Sequence, residues 1–188
     1  ERMIFNNYRT MEMLATWKDQ SLTPELILEI QSLITEGTLD DESAAGRLRT
    51  EQEKVESVDE RDDEVVHTPA PASELEERLI KLCAFANEEG NQESFVHPVV
   101  RAITIHFWLA YDHPFVDGNG RTARLLEKWF LASKINSRGW KIQSERYYKE
   151  QLQSYYDNIN LGMNYYVLNY DKCVPFLMML ASSLKQER

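Results

Sequence analysis

Residues 113–124, HPFVDGNGRTAR, gather a histidine, an aspartate, two arginines and a Gly-Asn-Gly triplet into one short stretch. An imidazole titrates near neutral pH, so His113 is suited to take a proton from an attacking hydroxyl. Glycines let the backbone approach a ligand closely, and the first turn of a helix presents unpaired N–H groups to an anion. The stretch therefore predicts a general base beside an anion-binding site built from backbone.

The charged residues of this stretch indicate which anion it holds. Arg121 and Arg124 are about one helical turn apart, so both guanidiniums can reach an anion at the helix N-terminus through charge-assisted hydrogen bonds. Two such groups favour a polyphosphate over a single phosphate. Asp117 would be repelled by that anion unless a hard divalent cation lay between them, as Mg²⁺ does when it bridges a carboxylate and phosphate oxygens. We therefore predict that Asp117 carries Mg²⁺.

The elements that position these residues are predicted to be helices. Pro98 opens the apolar run VVRAITIHFWLAYD, which is typical of a core helix and ends just before His113. Gly118-Asn119-Gly120 then turns the chain into the next helix. Further helices are predicted for Met3 to Lys18 (apolar face Ile4, Tyr8, Met11, Leu14 and Ala15), from the cap Thr23-Pro24 to Gly37, for Ser73 to Asn87, and after the caps Ser144 and Asp171.

One segment departs from this helical periodicity. Val55, Val58, Val65 and Val66 flank the acidic run DERDDE, a pattern that predicts two short strands joined by a solvated turn. Charge beside an exposed strand edge is typical of protection against aggregation, so the run itself is assigned no catalytic role. The sequence thus predicts an all-α fold with one small β-hairpin flap.

Composition excludes several classes of protein. The 188 residues, 43% hydrophobic and 28% charged, are typical of one soluble globular domain covering residues 1–188. No apolar run is long enough to cross a bilayer, and the formal net charge of -10 argues against nucleic acid or anionic lipid as a partner. Cys83 and Cys173, far apart in apolar surroundings, indicate reduced thiols and hence a cytoplasmic protein. The oligomeric state, a homo-oligomer included, is left open.

The motif HPFVDGNGRTAR resembles the signature of the Fic family, His-x-Phe-x-Asp/Glu-Gly-Asn-Gly-Arg-x-x-Arg, at every specified position. The segments ERMIFNNYRTM, ITEGTLD leading to GRLR, HTPAP and HPVVRAITIHFWLAYDHPF also resemble family segments in family order, and the likeness weakens after about Ala132. The resemblance implies a Fic-type helical core with one hairpin flap. It implies an enzyme that transfers AMP from ATP to a Ser, Thr or Tyr hydroxyl of a target protein and releases pyrophosphate.

The resemblance also implies a role for each residue of the motif. His113 would deprotonate the target hydroxyl, Asp117 would carry Mg²⁺, and Phe115 would anchor the loop in the core. The remaining motif residues would bind ATP: the backbone of Gly118, Asn119 and Gly120 at the α and β phosphates, and Arg121 and Arg124 at the β and γ phosphates.

Two further groups of residues follow from the family layout. The flap residues would align the target by adding its backbone as an extra strand, which fixes a side chain without reading much sequence; they are Val65, Val66, His67 and Thr68. Of the paired tyrosines, Tyr155 and Tyr156 are the better placed to wall an adenine pocket.

Simpler interpretations of the same residues remain open. His113 could cap the preceding helix, the arginines could form surface ion pairs with Asp117 and Glu127, and the tyrosines could belong to the core. His97 and His106 are interpreted as hydrogen-bonded helix histidines without catalytic chemistry, because their spacing makes no metal pair. At the level of function, the alternatives are an enzyme that removes AMP and a catalytically silent nucleotide-binding interaction module.

Regulation raises a separate question. Many Fic proteins carry an inhibitory helix of the form Ser/Thr-x-x-x-Glu-Gly/Asn, whose glutamate pairs with the second motif arginine, here Arg124. The string SLITEG, Ser32 to Gly37, matches that form literally, but its position in the chain favours a helix end before a glycine stop. We therefore expect Glu36 to be structural and the inhibitory segment to precede Glu1 in the parent protein.

Overall fold

The computed structural model describes residues 1–58, 65–88, 95–135, 144–158 and 173–186. Helices dominate these ranges, as the sequence predicts for an all-α fold. The α-helices are α1 (Arg2–Trp17), α2 (Pro24–Thr35), α3 (Leu75–Asn87), α4 (Pro98–Asp112), α5 (Asn119–Lys134), α6 (Ser144–Glu150), α7 (Leu152–Asn158) and α8 (Cys173–Gln186). Short 3₁₀ turns occupy Glu42–Ala44 and Ala72–Glu74.

Helix starts follow the predicted capping chemistry. The Thr23 hydroxyl accepts the Leu26 N–H at 3.2 Å, and Pro24 fills the first position of α2. At α4, His97 Nδ1 accepts the Val99 N–H at 3.2 Å and Pro98 takes the equivalent position. Ser144 opens α6 as expected, whereas Asp171 lies outside the described residues.

Helices α4 and α5 form the centre of the fold. Eleven of the sixteen residues of α5 are buried, because α1, α2 and α4 all pack against it. A helix that is covered on most of its faces belongs to the core of a domain and not to its surface. The main hydrophobic cluster runs through α1 to α5, and a second, largely aromatic cluster joins α6, α7 and α8 to α4. Both clusters therefore include α4, the helix that ends just before residues 113–118.

The predicted inward face of α1 is partly wrong. Leu14 is buried as expected, but Ile4 and Tyr8 are 77% and 62% exposed. The buried residues near the start of this helix are instead Asn6 and Thr10. Asn6 turns inward because its Nδ2 donates to the Glu36 carbonyl at 2.8 Å, beyond the end of α2. A hydrogen bond to a carbonyl at the end of α2 thus decides which face of α1 points to the core.

The predicted hairpin is formed by two very short antiparallel strands, β1 (Ser57–Val58) and β2 (Val65–His67), with Ser57 opposite His67. The residues that connect the strands, and the side chains of Val65 and Val66, lie outside the described part. His67 is fully buried, and its Nε2 donates to the Tyr111 carbonyl of α4 at 2.8 Å. Thr68, next along the chain, is exposed. The flap is therefore fastened to the core at one end.

Two further expectations concern the chain as a whole. Cys83 and Cys173 are both free thiols, as predicted. Among the described helices, none is both long enough and apolar enough to cross a membrane.

Candidate active site between helices α4 and α5

The motif loop begins where α4 ends, at a residue with unusual backbone angles. His113 adopts the left-handed conformation (φ 46°, ψ 57°), and its N–H still donates to the Leu109 carbonyl at 3.0 Å. Left-handed backbone disfavours residues other than glycine, so the surrounding contacts must hold it in place. Phe115, two residues later, is fully buried and anchors the loop in the core, as expected.

The Asn119 side chain closes the loop. Its Oδ1 accepts the Phe115 N–H at 2.9 Å, and its Nδ2 donates to the Phe115 carbonyl at 2.8 Å. Because both ends of this amide bind the loop backbone, Asn119 offers a ligand its own backbone N–H and not its side chain. This arrangement is compatible with the role that the family resemblance implies for Asn119.

The environment of His113 keeps its imidazole neutral. Burial, with smaller contributions from the charge of Arg49 and from the neighbouring His67, lowers the pKa of His113 to about 4, against the opposing effects of a hydrogen bond to Ala110 and the charge of Asp117. The Ala110 carbonyl lies 3.3 Å from Nδ1, and a carbonyl only accepts, so Nδ1 carries the proton. The lone pair of Nε2 is then available to take a proton from a substrate.

Gly118 is required by both conformation and space. Its φ is +85°, and a Cβ on this residue would lie 2.8 Å from Thr35 Cγ2 of α2. As the N-cap of α5 it has no side chain to cap the first turn, which leaves the N–H groups there for a ligand. The backbone of this turn is therefore compatible with the anion site, which stays a prediction.

The two motif arginines differ in their partners. Arg121 pairs with Asp117 at 2.6 Å and donates to the Ile34 carbonyl at 3.2 Å. Arg124 has no hydrogen bond or ion pair with the described residues, and its Nη1 lies 3.5 Å from where a Cβ on Gly120 would stand. The surface-pair interpretation thus holds for Arg121 with Asp117, whereas Arg124 is free to bind an anion and does not pair with Glu127.

The chemistry of Asp117 is suited to Mg²⁺ bound together with a nucleotide. Its carboxylate is about half exposed, and each oxygen accepts a single hydrogen bond, from Gly118 N–H or from Arg121. No three acidic, histidine or cysteine side chains come together elsewhere in the described ranges to hold a metal. A site with one carboxylate, completed by phosphate oxygens and water, is the usual way in which Mg²⁺ is held beside a polyphosphate. The residues present fit that mode.

A cavity of about 300 Å³ borders Asp117 and Val116. Its other walls include Asp40, Asp41 and Glu53, whose charge would repel a polyphosphate. Phosphate binding is therefore favoured on the Arg121 and Arg124 side of the loop and not in this cavity.

The tyrosines that were predicted for the adenine pocket are placed only in part. Tyr155 is 4% exposed, and its hydroxyl lies 2.9 Å from His106 Nε2 within the aromatic cluster. The side chain of Tyr156 lies outside the described part. Adenine binding by Tyr155 and Tyr156 stays a prediction.

His106 is a fully hydrogen-bonded core histidine, as the sequence analysis expected. Its Nδ1 lies 2.6 Å from Glu127 Oε2, which also accepts the Tyr148 hydroxyl at 2.8 Å. This buried network links α4, α5, α6 and α7. Glu127 itself was not predicted to be buried, because a glutamate one turn beyond Arg124 looks like a solvent-exposed helix residue in sequence alone.

Two residues that support the loop were also missed. Gln31 is buried, donates from Nε2 to the Asp117 carbonyl at 3.1 Å and accepts the Gly46 N–H at 2.6 Å. Arg49 donates from Nε to the His113 carbonyl at 2.8 Å. The only sequence signal for Gln31 is a polar residue inside an apolar stripe, and Arg49 has none beyond its place in the GRLR segment.

The interpretation of Glu36 as a structural residue is supported by its contacts. Glu36 is the C-cap of α2, and its carboxylate pairs with Arg9 at 2.7 Å. Gly37 follows with φ +65° and ends the helix. Glu36 is therefore engaged by α1 and not by Arg124.

Comparisons with known proteins show what the chain is similar to. The model of the Fic/DOC family matches residues 21–131. The chain is 38% identical over 82 residues to the protein adenylyltransferase fic-1 of Caenorhabditis elegans, which covers 44% of this chain and 14% of that protein. It is 33% identical over 109 residues to the protein adenylyltransferase Fic of Nematostella vectensis, a match that covers 58% of this chain and 22% of that protein. The chain thus spans less than a quarter of the length of either relative.

Solved structures provide a comparison of the fold. A Fic family protein from Desulfovibrio desulfuricans superposes with a TM-score of 0.74 at 22% identity, over 96% of this chain and 50% of that one. A Fic domain containing signaling protein from Bacteroides thetaiotaomicron gives a TM-score of 0.69 at 20% identity, over 97% of this chain and 68% of that one. At these identities the likeness speaks for the fold alone.

Proposed function

The chain belongs to the Fic/DOC family, and on this basis we propose that it is a protein adenylyltransferase that moves AMP from ATP onto a hydroxyl side chain of a target protein. The hydroxyl is that of a Ser, Thr or Tyr, and pyrophosphate is released. Relatives that are named protein adenylyltransferase support this class of reaction.

The observation that carries the proposal is a neutral imidazole placed just ahead of an uncapped helix N-terminus. His113 Nδ1 is tied to Ala110, so Nε2 is the nitrogen left for a proton. The first turn of α5 follows at the end of the same loop, and an arginine without a partner among the described residues, Arg124, lies over it. A base and a polyphosphate site in this order suit attack of a hydroxyl on a nucleotide.

In the proposed step, the target oxygen forms a bond to the α-phosphorus of ATP, and the bond from that phosphorus to pyrophosphate breaks. The hydroxyl proton passes to Nε2 of His113. A positioned general base contributes about 10² to 10⁴ in rate, so removal of this imidazole should abolish most of the activity.

The phosphate side of the site would stabilise the leaving group. The backbone N–H groups of Asn119 and Gly120, and that of Gly118 once it leaves Asp117 Oδ1, would bind the α and β phosphates, while Arg121 and Arg124 would bind the β and γ phosphates. Asp117 would hold Mg²⁺, which when bound supplies charge neutralisation at the phosphate oxygens. Arg121 would be shared between Asp117 and the nucleotide.

The flap would supply the target side. Backbone pairing along β2 would align an extended segment of the target through main-chain hydrogen bonds, which favours tolerance of sequence near the modified residue. His67 is unavailable for target contact because it is buried against α4, so docking would use the backbone of Val65 and Val66 and the exposed Thr68.

The test is incubation of the chain with Mg²⁺ and α-labelled ATP, alone and in lysate, followed by intact-mass analysis. The wild type should give a product heavier by one AMP, and His113→Ala should lose it. His97→Ala is a matched control, since it removes an imidazole from the other end of the same helix.

The outcomes separate the candidate functions. Loss of the product in His113→Ala but not in His97→Ala supports the proposal. ATP binding without transfer, followed by release of AMP from a modified protein, would replace it with AMP removal. ATP binding with neither reaction would replace it with a silent binding module.

A further inference from the structure

The C-terminal end of α4 is capped by side chains in an unusual way. The last four carbonyls of a helix have no partner within it, and at α4 these belong to Ala110, Tyr111, Asp112 and His113. His113 Nδ1 donates to Ala110, and His67 Nε2 donates to Tyr111. The two remaining carbonyls are both bound by one side chain from outside the helix.

That side chain is Arg49, in the segment between α2 and β1. Its Nε donates to the His113 carbonyl at 2.8 Å, its Nη2 to the Asp112 carbonyl at 3.5 Å, and its backbone N–H to the Pro114 carbonyl at 2.9 Å. Arg49 is 7% exposed. A single buried residue thus binds three successive carbonyls around the base.

The same guanidinium also holds the flap. Nη2 of Arg49 donates to the Ala70 carbonyl, and Ala70 is a fully buried residue just beyond β2. Together with the contact between His67 and Tyr111, this fastens the segment that follows β2 to the last turn of α4. The guanidinium of Arg49 therefore bridges the target-docking flap and the backbone of His113.

The charge of Arg49 has no carboxylate partner among the described residues. The two carboxylates whose charge acts on it are bound elsewhere, because Glu51 accepts the Ser73 N–H at 2.8 Å and Asp112 pairs with Arg78 at 2.7 Å. What compensates Arg49 is the negative end of the α4 dipole, to which its carbonyl partners belong. An arginine held in this way is oriented by its planar fork, and a lysine could not reproduce all of these contacts.

We propose that Arg49 is a positioning residue, which holds the backbone of His113 and the target-docking flap in one rigid frame. The inference rests on the proposed function, since it assigns Arg49 a part in the same transfer. Arg49 touches neither nucleotide nor hydroxyl; it acts through the two elements that do.

The test compares Arg49→Met and Arg49→Lys with a matched control, Arg47→Met. Arg47 lies two residues away, but its guanidinium pairs with Glu53 at 2.7 Å, and among the described residues its hydrogen bonds reach only Ser43, Leu48 and Glu53. Displacement of a catalytic group by about 1 Å costs roughly 10²-fold, so kcat of Arg49→Met should fall by about 10- to 100-fold. The KM for ATP should change little, because the first turn of α5 is untouched.

Two further readouts need no transfer activity. Amide hydrogen exchange at residues 65–70 should accelerate in Arg49→Met and, less strongly, in Arg49→Lys. The titratable groups whose charge affects the pKa of His113 are Arg49, His67 and Asp117. Loss of the Arg49 charge should raise the pKa of His113 in Arg49→Met, whereas Arg49→Lys keeps the charge and should leave the pKa low.

Lower kcat with unchanged KM for ATP, faster exchange in the flap and normal behaviour of Arg47→Met would support the positioning role. Wild-type kcat and wild-type exchange in folded Arg49→Lys would overturn it, and that variant decides the question if Arg49→Met fails to fold. Absence of transfer by the wild type would refute the proposed function instead, and the exchange and titration measurements would still report on the frame.

Discussion

Substitution of Gly118 by alanine tests the packing of the motif loop against α2. The new methyl group would meet Thr35 Cγ2 at 2.8 Å, well inside the ordinary carbon–carbon separation of about 3.5–4.0 Å. Thr35 cannot turn away easily, because it is fully buried and its hydroxyl donates to the Gln31 carbonyl at 2.7 Å. Gln31 in turn donates to the Asp117 carbonyl, so a shift of α2 would disturb the loop again.

Two costs add in Gly118→Ala. Left-handed backbone costs an alanine about 1–2 kcal/mol, and overpacking of a rigid core site costs about 1–3 kcal/mol. The expected loss is about 3 kcal/mol of unfolding free energy, a large part of the roughly 5–15 kcal/mol that holds a typical domain together. Urea denaturation followed by circular dichroism measures it.

A double-mutant cycle separates the two costs. Thr35→Ser removes the clashing methyl group and keeps the hydroxyl, so in that background Gly118→Ala should cost only the backbone part, about 1–2 kcal/mol. Gly120→Ala is the control, because the new Cβ would meet only Arg124 Nη1, at an ordinary 3.5 Å, within a helix that favours alanine. Equal costs of Gly118→Ala in the wild-type and Thr35→Ser backgrounds would refute the predicted clash, and a cost as mild as that of Gly120→Ala would refute both contributions.

Three other predictions follow from the site. The folded-state pKa of His113 is depressed to about 4, from about 6.5 for a free imidazole, so its stabilising contribution is fully present above pH 6.5. Relative to His113→Gln, the wild type should lose about 3 kcal/mol of unfolding free energy as the pH falls from 6.5 to 4. Equal pH dependence of the two proteins in urea denaturation would contradict the assigned environment. Arg124→Ala should weaken ATP binding by about tenfold or more, since a charged hydrogen bond is worth roughly 1.5–3 kcal/mol. Arg121→Ala should weaken it less, because Arg121 must first give up its contact with Asp117. If calorimetry gave the reverse order, that result would count against the phosphate site. Glu36→Ala should leave AMP labelling unchanged, because Glu36 pairs with Arg9, and strong activation by this change would restore it as an inhibitory residue.

Local chemistry made much of the fold predictable. Caps and prolines mark helix starts through contacts within three residues, so the beginnings of α2 and α4 could be located from Thr23-Pro24 and Pro98. The same holds for the motif loop, whose glycine turn and helix N-terminus are encoded by adjacent residues. Such features need no knowledge of what packs against them.

Features that depend on distant partners were not predictable. The inward face of α1 is chosen by the bond between Asn6 and the end of α2, which hydrophobic periodicity does not register. Glu127 is buried because His106 and Tyr148 meet it from other helices. Arg49 finds its carbonyls more than sixty residues away along the chain, at His113. In each case a polar contact between distant elements outweighs the local pattern.

The depth at which α5 is buried has a consequence for control of the protein. From Leu125 to Ala132 every residue of this helix is buried, so its first turn, the proposed phosphate site, cannot tilt or slide unless the interior repacks around it. Close-packed interiors resist such graded deformation. Any partner or segment that inhibits this site would therefore block access to it and not distort the helices that form it. The site would keep its geometry while blocked and would be active again as soon as the inhibitor dissociates.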